Sequence, residues 1–277
     1  MMPNLTVSLV QTPLFWEDKS SNLSMLEKKI LAIPEKTELI ILPEMFSTGF
    51  SMQVSALAET MDGPGIEWMK RVAAQKRSIL TGSLIIKEIR NGEPVFFNRL
   101  IWMQPDGQYG YYDNRHLFAY GKEDQHFTAG SLRLLASVKG WKINLQVCYD
   151  LRFPVWQRQS APINPLPEAP LPEEPAYDML IIVANWPSTR IHAWKTLLQA
   201  RAIENQSFVI GVNRTGTDGN GLAYPGESLI AGPLGEILHS LSGNEEIFTV
   251  TLNKEITETV RRQFPFWKDA DHFSIQP

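Results

Sequence analysis

Apolar residues recur along this chain in two rhythms, one near period two and one near 3.6, and the rhythms predict its elements. Residues 5–10 alternate and are β-rich, which reads as a first strand. Residues 20–33 place Leu23, Leu26, Ile30 and Ile33 on one helical face, with serines or Asn22 as caps. Residues 38–42, ELIIL, form a short continuous apolar run of the kind buried on both faces, and it ends in Pro43-Glu44. Pro64 opens a second helix predicted over 65–75, and 78–87 reads as a strand. Segments 96–103 and 108–112 flank Pro105-Asp106-Gly107 and read as a hairpin. Residues 179–184, MLIIVA, are another buried strand, ending in Asn185-Trp186-Pro187. A long helix over 189–206 spaces Ile191, Trp194, Leu198 and Ala202 on a packed face, and 207–212 is the next strand. A turn-rich stretch, 216–226, precedes a hairpin of 227–230 and 237–241 around Pro233-Leu234-Gly235. The last strand is 247–252, with a short helix from Asn253.

The pattern changes character within KINLQVCYDLRFP, residues 142–154. An alternating apolar run, Ile143, Leu145, Val147, delivers Cys148 and breaks into Tyr149-Asp150-Leu151-Arg152, and Pro154 suits the first turn of a helix. A nucleophile on such a strand-to-helix corner projects above the sheet, where helix-start N–H groups face an oxyanion. The alternative is a buried cysteine acting as a small hydrophobe. Helices and strands alternate through two-thirds of the chain with hairpins mixed in, which predicts an α/β fold with a mixed sheet system and no internal repeat. The whole chain, 1–277, reads as one domain. Residues 161–176, APINPLPEAPLPEEPA, are an insertion too rich in proline for a helix or central strand. It reads as a passive surface loop or as a lid or subunit contact near Arg152.

Composition narrows the classes. Hydrophobic residues make up 43% and charged residues 20%, enough apolar chain for a large core. A net charge of −4 offers no general attraction to nucleic acid or an anionic membrane. The single cysteine excludes an internal disulfide and suits a reducing compartment, so a cytoplasmic location is expected. The first residues lack a signal-peptide pattern, and no apolar run is long enough to span a bilayer.

Three buried strands end in polar signatures, at Glu44, Cys148 and Asn185. Such strand ends are where α/β sheets collect sites. A carboxylate and a thiol arriving at one edge suggest a base and a nucleophile. The five histidines, His116, His126, His192, His239 and His272, fall in loops, helices or tails, which weakens a cysteine–histidine hydrolase. No metal-ligand spacing and no glycine-rich phosphate loop appears, so neither metal nor cofactor is implied. Arg152 offers a bidentate fork to a substrate carboxylate, or a structural bridge to Asp150 or another acid. Phe118, Trp186 and Phe46 are candidate walls of a pocket. Asp150 is expected to bond the N–H groups of the corner. Asn185 either orients a loop at the site or caps the next segment.

Taken together, ILPEMFSTGF with Glu44, His116-Leu117-Phe118, VCYDLRFP with Cys148, and ANWP before a long helix ending ARAIENQ resemble the nitrilase, or carbon–nitrogen hydrolase, superfamily. The resemblance spans residues 5–252 and is nearest to the omega-amidase branch, whose members hydrolyse α-ketoglutaramate-like 2-oxo acid amides. It implies a four-layer α-β-β-α sandwich, usually a homodimer, and a small-molecule amide substrate. It places Glu44 as base, Cys148 as nucleophile and Glu123 as a second glutamate, with the backbone of Tyr149 at the oxyanion. Another small-molecule amidase or carbamoylase, or a silent binding scaffold, is the alternative. One position departs from the pattern. A lysine is expected two residues before the histidine, and the chain has Asn114 there. An asparagine donates a hydrogen bond but carries no charge, so slow turnover is expected. Three explanations stand: a deliberate replacement that traps a complex, a natural protein with lost or altered activity, or a second cation, Arg115 or Lys122, in the lysine's place.

Overall fold

In the central strands every second side chain turns toward a second sheet and the others turn toward a helix, which is why these strands are apolar throughout. The computed structural model describes residues 3–159, 174–271, 273 and 275, so all but the last three residues of the 161–176 insertion lie outside the described residues, as does His272. The first half comprises β1 (Leu5–Gln11), α1 (Lys19–Leu31), β2 (Leu39–Ile41), α2 (Val54–Leu57), α3 (Pro64–Lys76), β3 (Ile79–Arg90), β4 (Glu93–Met103) and β5 (Tyr109–Asp113). The second comprises β6 (Leu134–Val138), β7 (Trp141–Val147), α4 (Pro154–Gln157), β8 (Met179–Ala184), α5 (Ile191–Asn205), β9 (Phe208–Asn213), β10 (Thr215–Thr217), β11 (Ala223–Pro225), β12 (Leu229–Ala231) and β13 (Ile237–Ser240). Then come β14 (Glu246–Leu252), which joins the first sheet, and α6 (Lys254–Gln263).

One six-stranded sheet has the order β14-β1-β2-β3-β4-β5, the other β13-β12-β9-β8-β7-β6. β1–β2–β3 and β7–β8–β9 run parallel within them, and the remaining pairs are antiparallel. Leu5, Val7 and Leu9 of β1 meet Ile143, Leu145 and Val147 of β7 and Met179, Ile181 and Val183 of β8 in the core between the sheets. Leu26 and Ile30 of α1 and Met69 and Val72 of α3 cover the outer face of the first sheet. Trp194, Leu198 and Ala202 of α5 cover Leu180, Ile182 and Ala184 on the outer face of the second. The result is the expected α-β-β-α sandwich.

Local chemistry sets most element ends. Pro64 occupies the first turn of α3, and Asn253 Oδ1 accepts from the Glu255 N–H at 2.9 Å to start α6. At α1 the cap is Asp18, which accepts from the Ser21 N–H at 3.0 Å, not the serines or Asn22. Asn22 instead ties loops together, donating to Phe15 O at 2.7 Å and Ser47 O at 2.8 Å. β6 was not anticipated: its LLASV is only partly buried at the sheet edge, so it lacks a strong alternation. The turn-rich 216–226 stretch proves to hold most of the β10–β11 hairpin, and α5 starts at Ile191 after a short 3₁₀ turn. No helix among the described residues is long and apolar enough to cross a membrane.

Candidate active site

Parallel strands that end side by side leave their following loops at one rim, and three such ends build this site. Glu44 follows β2, Cys148 follows β7 and Asn185 follows β8. Cys148 takes φ 38°, a left-handed conformation, as the chain turns from β7 into a 3₁₀ turn over Cys148–Arg152 and then α4, with Pro154 in its first turn. Met45, next to Glu44, has φ 44° and is held by its N–H donating to Ser83 Oγ at 2.8 Å. Both backbones are strained where a reactive side chain must be aimed.

Glu44 is 1% exposed. Its Oε1 accepts from Asn98 Nδ2 at 2.8 Å and its Oε2 from the Asn185 N–H at 2.7 Å. Asn185 Nδ2 also donates to Glu44 O at 2.7 Å, so Asn185 holds the glutamate, a contact that neither sequence reading gave it. The Cys148 thiol and the Glu44 carboxyl face the same cavity, and the carboxylate's charge bears on the thiol. Glu123, equally buried, accepts from Asn98 Nδ2 and Asn114 Nδ2, both at 3.3 Å, and from the Phe118 N–H at 2.8 Å. Burial raises the Glu44 pKa. Burial and the neighbouring Glu44 charge push Glu123 up to about 8. Burial, then the charges of Glu44 and Glu123, lift the Cys148 thiol well above its ordinary value.

These groups form the floor of a cavity of about 730 Å³. Cys148, Glu44, Glu123, Asn185, Tyr149, Phe118, Trp186 and Arg152 line it, so seven of the eight predicted site residues reach it directly together with Asn185. Asn114, the eighth, is buried behind Glu123 and is not a lining residue. Phe118 packs edge-on to Tyr149 at 4.9 Å between ring centres, so Tyr149 contributes a ring as well as a backbone. The Tyr149 N–H lies in the first turn of the 3₁₀ helix, where such groups have no partner within the helix. Phe46 is not a wall: it is buried against Trp68, 5.6 Å between ring centres, on the helix-covered side. The Arg152 guanidinium lies 5.0 Å over the Trp186 ring and makes no ion pair among the described residues, so the bridge to Asp150 does not form. Asp150 bonds the corner as expected, accepting from the Val147 N–H at 3.1 Å, and also accepts from the Tyr112 hydroxyl at 2.7 Å.

Two contributors escaped the sequence reading. Asn98, on β4, bridges Glu44 and Glu123; the one signal is a buried-strand asparagine within FFNRLIWM. Arg190, at the foot of α5, lines the cavity with its guanidinium 5.1 Å over the Phe118 ring. Of the two cations considered as substitutes for the lysine, Arg115 stacks over Trp156 at 4.5 Å, and neither it nor Lys122 lines the cavity. Among the described residues no group of three or more histidine, cysteine or acidic side chains is spaced to hold a metal ion.

The arrangement joins a thiol, a base, an orphan N–H and two arginines in one pocket, and similar proteins share its frame. The carbon-nitrogen hydrolase family profile matches residues 6–262. An omega-amidase, YafV, of Escherichia coli is 38% identical over 275 residues, covering 99% of this chain and 100% of its own. A 2-oxoglutaramate amidase of Bacillus subtilis is 29% identical, covering 95% of this chain and 96% of its own. The crystal structure of XC1258 from Xanthomonas campestris, a CN-hydrolase superfamily protein with an arsenic adduct in the active site, superposes with a TM-score of 0.91 at 41% identity, covering 99% of this chain and all of that one. This chain is a member of the carbon-nitrogen hydrolase family, with the nitrilase-type fold.

Proposed function

We propose that the chain hydrolyses the terminal amide of a small 2-oxo acid amide, of the 2-oxoglutaramate type, to the acid and ammonia, and that Asn114 makes this turnover slow. The observation that carries the reading is the Cys148 thiol and the Glu44 carboxyl together on the floor of a cavity walled by Arg152 and Arg190. Two guanidiniums suit a substrate that carries a carboxylate away from the reacting amide. The names of the E. coli and B. subtilis relatives support the same substrate class.

The chemistry follows from the groups present. Glu44 takes the thiol proton as Sγ bonds to the amide carbon, and the carbonyl electrons move onto oxygen. The Tyr149 N–H meets that oxyanion. Glu44, whose raised pKa makes it a willing proton carrier, returns the proton to the departing nitrogen, the C–N bond breaks and a thioester remains. Water, deprotonated by Glu44, attacks the thioester, the C–S bond breaks and the proton returns to sulfur. Glu123 keeps Asn98 and the 114–118 segment aligned with Glu44. Burial and the charges of Glu44 and Glu123 disfavour the Cys148 thiolate, so little of it forms at neutral pH. The enzyme acts as a cytoplasmic homodimer; its single free thiol fits a reducing compartment, and sedimentation tests the dimer.

The test is ammonia release from 2-oxoglutaramate. Slow turnover is expected, abolished in Cys148→Ala and raised roughly 10²–10³-fold in Asn114→Lys. No turnover by Asn114→Lys on any ω-amide of a 2-oxo acid would overturn the reading.

A further inference from the structure

A small 2-oxo acid amide has about ten non-hydrogen atoms, whereas a cavity of about 730 Å³ is typical of pockets for drug-sized ligands. The order of the strands shows where the extra room lies. At the rim of the second sheet β7, β8 and β9 stand side by side. Cys148 and Arg152 follow β7, and Asn185 and Arg190 follow β8. Arg190 reaches over Phe118, which packs on Tyr149, so both guanidiniums serve the β7 end. The other end belongs to the segments that follow β9 and β1, which a β-bridge between Thr215 and Pro13 joins. Neighbouring strands lie about 4.8 Å apart, which puts β9 roughly 10 Å from β7. Trp16, Glu17, Asp218, Leu222 and Tyr224 line the cavity from that far end.

The far wall is held in place by interior contacts. Arg214 is fully buried and spends its donors on backbone carbonyls, Nε to Thr215 O at 3.0 Å and Nη2 to Leu14 O at 3.1 Å, which ties the segment carrying Trp16 to β10. Its guanidinium lies 4.7 Å from the Tyr224 ring centre. The Tyr224 hydroxyl donates to Asp218 Oδ2 at 3.0 Å, and Asp218 Oδ1 accepts from the Asn220 and Leu222 N–H groups, both at 2.9 Å. A Cβ at Gly219 would fall 2.3 Å from the Trp16 ring, so only glycine there admits the indole. Burying an arginine is costly, and here it fixes two aromatic rings at a cavity wall before any ligand arrives.

The two ends differ in charge. A substrate carboxylate suits Arg152 and Arg190, and Glu17 and Asp218 repel one from the far end. Glu44, which protonates the departing nitrogen, is close enough for its charge to bear on Tyr224. The amide nitrogen therefore faces the aromatic end. We propose that the Trp16 and Tyr224 end is a leaving-group subsite, and that the chain accepts N-substituted ω-amides whose amine carries an aromatic ring, such as benzylamine. The inference rests on the amidase reading and names a wider substrate class for the same site. Sγ bonds to the amide carbon, Glu44 passes the thiol proton to the nitrogen, and the C–N bond breaks. The amine leaves as R–NH2 in place of ammonia, and the thioester is the same. The ring gains apolar burial and aromatic contact that ammonia cannot make.

Protection of Cys148 from iodoacetamide reads binding without needing turnover. The ligands compared are glutaramate, N-benzylglutaramate and N-carboxymethylglutaramate. The expected result is half-protection by the benzyl compound at a concentration at least about tenfold below that of glutaramate, and by the carboxymethyl compound at a higher one. Trp16→Ala should abolish the benzyl advantage. Leu222→Asp, on the partly exposed turn, should reduce it and serves if Trp16→Ala does not fold. Equal half-protection by glutaramate and its benzyl derivative, tighter binding of the carboxymethyl compound, or an undiminished advantage in both variants would overturn the inference. Hydrolysis of glutaramate by Asn114→Lys without any benzyl preference would sink the subsite and leave the amidase reading standing. A benzyl preference lost in Trp16→Ala, with no amide hydrolysed by any variant, would keep the aromatic subsite and sink the amidase reading.

Discussion

Asp150 and Glu123 are both buried carboxylates beside the Cys148 corner, yet the fold surrounds them oppositely. Asp150 is saturated. The Val147 N–H and the Tyr112 hydroxyl serve one oxygen, and the His116 N–H and ring Nδ1 lie 3.1 and 2.7 Å from the other. Tyr112 in turn accepts from Trp156 Nε1 at 3.0 Å, and His116 stacks on Phe153 with 3.7 Å between ring centres. Glu123 has long amide contacts, a like-charged neighbour in Glu44 and orphan oxygens around it. A fully satisfied buried network holds a shape, whereas a partly satisfied one stores free energy that chemistry or a ligand can use. One carboxylate frames the nucleophile's corner, and the other belongs to the reacting floor.

The difference can be broken from either side. Asp150→Ala should have the largest effect, since it strands a tyrosine hydroxyl, a histidine nitrogen and a backbone N–H in the interior. A loss of about 3 kcal/mol in urea unfolding is expected. A loss under about 0.5 kcal/mol would mean that the network frames nothing. Arg152→Ala comes next. Its guanidinium faces the cavity without an ion pair among the described residues, so KM should rise about 10–100-fold with kcat within a few-fold. Unchanged KM would remove Arg152 from substrate binding.

Glu123→Gln should have the smallest effect and the opposite sign to Asp150→Ala. The folded pKa of Glu123, about 8, lies above its unfolded value, so its neutral form stabilises the fold fully below the usual carboxyl range. That stability is lost as pH rises from there through about 8. The glutamine variant cannot ionise, so it should unfold at a higher temperature than the native chain at pH 8, by on the order of 1 kcal/mol, with the advantage shrinking toward pH 5. A variant less stable than the native chain at pH 8 would contradict the raised pKa.

The contrast also explains what the sequence could convey. Glu44, Cys148 and Asn185 each end a continuous apolar run, so their placement at one rim follows from strand burial alone. Asn98 sits within a long antiparallel strand, at a position where local pattern cannot tell a solvent-facing residue from one that bridges two acids. Arg190 follows a proline-bounded turn whose direction is set by packing of α5. Phe46 misleads because it lies two residues from Glu44 yet turns to the opposite face, against Trp68. The replacement at 114 was legible, but its consequence was not, since the orphan amide oxygens exist only once β4 and the 114–123 segment pack against Glu44.

The most direct measurement is the pH dependence of Cys148 alkylation in amine-free buffer. The native chain should inflect above the usual range of a free thiol, and Asn114→Lys should inflect at least about one unit lower, because an ammonium then faces the sulfur. A native inflection at or below the ordinary thiol value would contradict the picture of a sulfur ringed by acids and short of one positive charge.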